Sequence, residues 1–262
     1  MSYDTLLFEI SGQVARITLN RPDAANSLND DMARDLMLAA IRCDEDPAIR
    51  AVLLTGAGKM FSAGGDLKTF SRFGTETGAR LKEITTCFHA AISRFTRMDA
   101  PLVIAVNGMA AGAGMSLAAS GDLVLAARGA RFTMAYTAAG LSPDGGSTWF
   151  LPRLIGLRRT QELMLTNRML SAGEALEWGL VNRVVDDGAL MKEAESLVEY
   201  LAGGATQALG MVKKMLVESF TNPLETQMEL ESRAIAEMAR SDDGREGIAA
   251  FVGKRKPAFT GR

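Results

Sequence analysis

Histidine and cysteine are nearly missing: the chain has one histidine, His89, and two cysteines, Cys43 and Cys87, in 262 residues. Transition-metal sites are built from clusters of such ligands, so no metal is expected. Two isolated cysteines with no apolar leader ahead of them exclude a disulfide scaffold and point to a reducing, cytoplasmic setting. No apolar run reaches the ~18 residues that cross a bilayer, so no membrane partner is expected. Nor is there an excess of either charge. Twenty-nine Lys and Arg face 31 Asp and Glu, and the first basic block is the KRK near the C-terminus, so nucleic acid is not an expected partner. There is no GxGxxG, and GAGK at 56–59 lacks the spacing and the hydroxyl residue of a phosphate loop. Neither dinucleotide binding nor a phosphate loop is therefore expected.

What is present is an ordinary globular composition. An apolar fraction of 47% over this length can bury one large core, or one core with an appendage. The apolar pattern alternates strands with helices. Val14–Leu19 reads as a strand ended by Asn20, Arg21 and Pro22. Residues 30–43 read as a helix, with Met32, Leu36, Ala39 and Cys43 on one face. A short buried strand at 51–55 follows. Residues 76–97 form a second helix with Ile84, Phe88, Ile92 and Phe95 as its stripe. A strand at Leu102–Val106, a helix at 112–119 and a strand at 123–126 continue the α/β pattern of strand–strand–helix turns. Ser171 and Glu174 form a capping-box pattern and Gly179 a helix stop, and a strand is expected at 180–185. Beyond a boundary near residue 200 the text is helical, at about 206–220, 223–240 and 243–252, after a helix at 189–202.

Three features carry chemistry. FSAGGDL (61–67) follows a strand, and its small residues let backbone N–H groups approach a ligand; a plain tight turn explains it equally well. GMAAGAGMSL (108–117) is a Gly-rich turn opening a helix, where the first N–H groups lack intrahelical acceptors. Two such turns can direct two N–H donors at one oxygen, the arrangement that stabilises an enolate or other oxyanion. The third is Asp144, a lone acid in an SPDGG loop, whose plain alternative is a turn or helix cap. Leu141 and Trp149 are apolar neighbours able to raise its pKa. His89, beside the apolar stripe of its helix, reads more simply as a surface or satisfied residue than as a catalyst.

The paired motifs FSAGGDL and VNGMAAGAGMSLA, between ITLNRPDAANSLN and REGIAAFVGKRKPAFTGR, resemble the crotonase superfamily of enoyl-CoA hydratases and isomerases over nearly the whole chain. The resemblance implies a spiral of strand–strand–helix turns at 1–200 and a helical trimerisation region at 201–262. It implies an acyl-CoA thioester as substrate, coenzyme A entering only as part of that substrate, and no separate cofactor. It also implies a homotrimer, or a hexamer of paired trimers. The oxyanion donors would be the N–H groups of Ala63 and Ala113. Gly64, Gly65, Asp66, Tyr136 and His89 would line the substrate site. Lys254 and Lys256 in the basic tail would reach CoA phosphates, those of a neighbouring subunit included, although a solvated tail is an equal reading.

One departure decides the expected activity. The two glutamates that handle water in hydratases of this family correspond here to Ser116 and Tyr136, hydroxyls that cannot serve as carboxylate bases near neutral pH. MAYTAAGLSPDGGSTWFLPRLIG, around Asp144, resembles ring-epoxide isomerases of phenylacetyl-CoA derivatives and 3-enoyl to 2-enoyl-CoA isomerases, which move protons with one aspartate there. LIGLRRTQELMLTNR is similar to chlorobenzoyl-CoA dehalogenases, in which that aspartate attacks a ring and a histidine matching His89 activates water. DGREGIAAFVGKRKPAFTGR resembles the isomerases. The expectation is an acyl-CoA isomerase with Asp144 as proton shuttle. The alternatives are a dehalogenase using Asp144 and His89, a hydratase, and a non-catalytic acyl-CoA binder.

Overall fold

The fold is given by a computed structural model that describes residues 3–262. Strands β1 (Leu6–Ser11) and β2 (Val14–Leu19) form a hairpin, with Leu6 opposite Leu19 and Ser11 opposite Val14. From β2 the sheet continues in parallel through β3 (Ala51–Gly56), β4 (Leu102–Val106), β6 (Leu123–Ala127) and β9 (Arg183–Val185), in the order β1-β2-β3-β4-β6-β9. A second sheet joins β5 (Met109–Ala111) in parallel to β7 (Arg131–Thr133) and β7 antiparallel to β8 (Leu170–Ser171). Every residue of β3 and β4 is buried, as expected for parallel strands covered on both faces.

The expected strand–strand–helix rhythm is visible in this pairing. β4 and β5 precede α4 (Ala113–Ala119), and β6 and β7 precede α5 (Ser147–Leu154). The turn after β3 makes a third unit: Ser62 pairs with Ala110 in β5, ahead of α2 (Leu67–Phe70) and α3 (Thr77–Arg97). The first member of each unit joins the large sheet and the second the small one, so the chain spirals.

The long helices follow their periodicity. In α1 (Asp30–Glu45), Asn29 caps the Met32 amide, and Met32, Leu36, Ala39 and Cys43 are buried. In α3 the stripe Ile84, Phe88, Ile92 and Phe95 is buried against the core. Residues 157–166 form α6, and α7 (Ala172–Trp178) has the Ser171–Glu174 capping box and ends at Gly179 with φ 83°. The strand expected at 180–185 is shorter, because the Leu180 and Val181 amides bind Ala175 O and hold the chain to the end of α7. Elements β5, β7, β8 and α2 are too short for a periodic signal, and their positions come from pairing and packing. Among the described residues no helix is long and apolar enough to cross a membrane.

Helices α8 (Leu190–Ala202), α9 (Thr206–Ser219), α10 (Leu224–Arg240) and α11 (Asp242–Val252) complete the chain. Polar groups anchor α9 and the C-terminal tail. Arg50 reaches Thr206 Oγ1, Gly204 O and Phe259 O. Asp243 accepts from the Thr260 and Gly261 amides. Lys213 on α9 is buried: its Nζ donates to Phe95 O and Ala100 O, each at 3.0 Å, and lies 2.7 Å from Asp122 Oδ2. Burial lowers the Lys213 pKa and raises that of Asp122, so each charge depends on the other. Replacing Lys213 by Ala leaves Asp122 uncompensated and two carbonyls without a donor. Urea unfolding should then show a loss of about 3 kcal/mol. An unchanged midpoint would mean that the Lys213 contacts do not hold α9.

Candidate active site

The Ser62–Ala110 pairing sets the geometry of the site. Ser62 N–H donates to Met109 O at 3.0 Å and Ala111 N–H donates to Ser62 O at 2.9 Å, so the two glycine-rich turns leave the small sheet side by side. Gly65 and Ala113 each lie three residues beyond the paired ones. Gly64, at φ +90°, has no room for a side chain: a Cβ there would stand 2.7 Å from Ala111 O and 3.2 Å from Ala113 N. The turns are thus in backbone contact, which accounts for the small residues in both.

The donors differ in one position from the expectation. Ala63 N–H is already committed to Ala25 O at 2.9 Å, so it is not a free donor, although Ala63 does line the cleft. Gly65 is the correction. It sits in a parallel bridge with Leu28, in which Leu28 N–H binds Gly64 O and Asp66 N–H binds Leu28 O. In such a ladder the bridging residue turns its own N–H to the opposite side. That side is the cleft, and among the described residues Gly65 N–H has no acceptor. Ala113 opens α4, and its N–H also has no acceptor among the described residues. The site therefore offers two free N–H groups, from Gly65 and Ala113, on one wall.

The cleft has a volume of about 290 Å³, and its lining is mostly apolar, including Leu28, Phe70, Leu81, Ile84 and Leu141. Asp144 is the one carboxylate among its described lining residues. The helix-cap reading of Asp144 does not hold. The N-cap of α5 is Gly146, with no side-chain cap, and only the backbone carbonyl of Asp144 binds Ser147. The carboxylate instead accepts from Tyr136 Oη, with Oδ1 at 2.5 Å. Ser116, fully buried, places Oγ 3.2 Å from Tyr136 Oη and also donates to Gly112 O. Gly145, at φ +61°, lets the loop lie on Phe88 and Ser116, where a Cβ would stand 2.6 and 2.7 Å from their atoms. Burial raises the Asp144 pKa above 3.8; the Tyr136 hydrogen bond and any positive charge on His89 work against it. Burial and the Asp144 charge push Tyr136 upward, keeping it a neutral donor.

The other expected site residues separate. His89 does not line this cleft. Its Nε2 accepts from Gly145 N–H at 3.0 Å, and it lines a second cavity of about 620 Å³ with Arg97 and Trp149, a cavity that Asp144 also borders. Asp66 is structural: it caps the Thr69 amide at 3.1 Å and pairs with Arg21 at 3.0 Å. Burial would raise its pKa, but the Thr69 amide and Arg21 outweigh this and hold it below its usual range. Gly64 serves the contact between turns. Lys254 and Lys256 are exposed on the tail and line neither cavity. Lys82, on the rim of the cleft, had no signal in the sequence beyond its place on α3.

A pair of N–H donors beside one raised-pKa carboxylate can hold a carbonyl oxygen and take a proton from the adjacent carbon. Known proteins place this arrangement in a lineage. The profile of the enoyl-CoA hydratase/isomerase family matches residues 9–262. A 1,2-epoxyphenylacetyl-CoA isomerase of Escherichia coli is 42% identical over 258 residues, covering 98% of each chain. A short-chain-enoyl-CoA hydratase of Clostridium acetobutylicum is 32% identical over 257 residues, 98% of this chain and 97% of its own. The crystal structure of an enoyl-CoA hydratase from Polaromonas superposes with a TM-score of 0.93 at 34% identity, over 97% of this chain and 99% of that one. With its spiral of strand–strand–helix turns and its converging donors, the chain belongs to the enoyl-CoA hydratase/isomerase family, within the crotonase superfamily.

Proposed function

We propose that this protein is an acyl-CoA isomerase that shifts a double bond, or rearranges a ring epoxide, through a thioester enolate. The observation that carries the reading is that, among the described residues, Asp144 is the one carboxylate lining the cleft that the unpaired N–H groups of Gly65 and Ala113 also line, with hydroxyls at Ser116 and Tyr136. The thioester oxygen would accept from both N–H groups. Asp144 would remove the proton from the α-carbon of a 3-enoyl thioester, and the C–H pair would become the enolate. The same carboxyl would return the proton to the γ-carbon as the electrons move back, leaving the 2-enoyl product. One group suffices because base and acid act in sequence. Each N–H donor contributes about 3–4 kcal/mol to such an intermediate. The reaction needs no metal or redox cofactor, and CoA is the carrier part of the substrate. Against the dehalogenase alternative, His89 is engaged with the Gly145 amide and lines only the second cavity, which Asp144 also borders, rather than the cleft that holds the N–H donors.

The experiment is turnover on a panel of acyl-CoA thioesters. Double-bond shift should exceed hydration of a short 2-enoyl-CoA, and chlorobenzoyl-CoA should release no halide. Hydration well above isomerisation would overturn the reading. Asp144→Asn should lower turnover by roughly 10² or more while thioester binding survives. Its stability is informative too. A raised carboxyl pKa means that folding disfavours the ion, so the cost is absent below the unfolded-state value and grows as pH climbs through the folded-state value. Asp144→Asn removes that cost, so its melting temperature at neutral pH should equal or exceed that of the parent.

The proposed assembly is a homotrimer, or a pair of trimers. Its support is the apolar surface of the last helices, where Leu216 (61%), Phe220 (63%), Ile235 (72%) and Phe251 (87%) are exposed in the single chain. The number three rests on the family resemblance; closed symmetry hides such a surface without forming a polymer. Lys254 and Lys256 are assigned to the CoA phosphates of a neighbouring subunit. Light scattering should report a trimer or its multiple at micromolar concentration, a stable monomer being the contrary result. Replacing both lysines by Ala should weaken CoA affinity.

A further inference from the structure

The Asp144 carboxylate has a single hydrogen-bond donor. Among the described residues only Tyr136 Oη reaches it, at Oδ1, and Oδ2 is left without one. An ionised carboxylate is acceptor-only, so the one phenolic hydrogen must point to Asp144. The phenol oxygen, its own hydrogen committed, can only accept from the Ser116 hydroxyl 3.2 Å behind, whose one hydrogen otherwise goes to Gly112 O. The backbone is arranged for this. Ala135, immediately before Tyr136, takes φ 54°, a conformation that residues with a side chain seldom adopt. Strain directly beside the phenol marks its direction as imposed by the surrounding fold.

Resting on the reading of Asp144 as base, we propose that Tyr136 is a positioning residue that keeps Asp144 ionised in its apolar cleft and leaves Oδ2 as the oxygen that meets the substrate proton. Burial favours the neutral acid, which cannot take a proton from carbon. A hydroxyl donating to the carboxylate favours the ion. The phenol itself, raised by burial and by the Asp144 charge, does not ionise in competition. The charged and titratable groups around Asp144 are few. α3 brings His89, held on the Gly145 amide, and Lys82 on the rim; α4 brings only the neutral Ser116; Arg97 and Glu218 line the cavity behind the loop. Tyr136 is thus the one group bonded to the carboxylate itself.

The test is Tyr136→Phe, which retains the ring, followed by two readouts. In kcat/KM against pH for 3-enoyl-CoA isomerisation, the acid limb should move to higher pH by about one unit, while KM changes little. Ser116→Ala should move it the same way by less. Carbon-13 NMR titration of the Asp144 carboxyl in the free protein should show the same upward shift, independent of catalysis. An unmoved carboxyl titration and acid limb would overturn the proposal. So would a loss of turnover at every pH with an unmoved limb, since Tyr136 would then itself be the acid or base. Near-normal turnover of Asp144→Asn would instead sink the base reading, whatever Tyr136→Phe does.

Discussion

Two backbone hydrogen bonds, Ser62 N–H to Met109 O and Ala111 N–H to Ser62 O, tie together turns that are far apart in the chain. Because they set a parallel register, Gly65 and Ala113 emerge at matching positions. The bridge between Gly65 and Leu28 then decides which amide faces inward. Only residues without bulky side chains tolerate that approach, as the space at Gly64 demonstrates. The rest of the site is arranged around this junction: the cleft opens beside it, and Asp144 enters from the facing loop.

Around Asp144 two opposing effects meet. The apolar lining and Phe88 beneath the loop disfavour a charge, and the Tyr136 hydroxyl favours it. A base in water would be too weak at the pKa of an ordinary aspartate to take a proton from carbon readily. A fully buried acid would hold its own proton and take none. An intermediate setting suits proton transfer in both directions, which the proposed double-bond shift would ask of one carboxyl.

The C-terminal helices obey a different balance. Their attachment is polar and specific, through Lys213 to Asp122 and through Arg50 to the carbonyls of Gly204 and Phe259. Their outer faces remain apolar. Polar pins fix direction, because hydrogen bonds are directional and unmade ones in a buried setting are costly. Apolar faces fix none, and their large exposure leaves the greater part of their hydrophobic free energy unrealised in a single chain.

How much of this was legible from residues alone follows the range of the forces involved. Helices α1 and α3 were readable, since Met32, Leu36, Ala39 and Cys43, or Ile84, Phe88, Ile92 and Phe95, recur at the spacing of one helical face. The Ser171–Glu174 capping box was equally local. The two small-residue turns and Asp144 were legible as candidates for one site, and the fold brings Gly65, Ala113 and Asp144 to one cleft. Three things were not local. Ala63 and Gly65 are indistinguishable as small residues in one turn, and only the Leu28 and Ala25 partners settle that Ala63 N–H is spent and Gly65 N–H is free. Asp144 in a glycine loop reads as a cap until Tyr136 is seen to hold its carboxylate. His89 reads as a surface or satisfied residue, but that its Nε2 is satisfied by the Gly145 amide is visible only in the folded chain. Sequence determines what each segment prefers within a few residues; which way an amide or a ring nitrogen points depends on partners supplied by the folded chain, and only the tertiary structure brings them into hydrogen-bonding range.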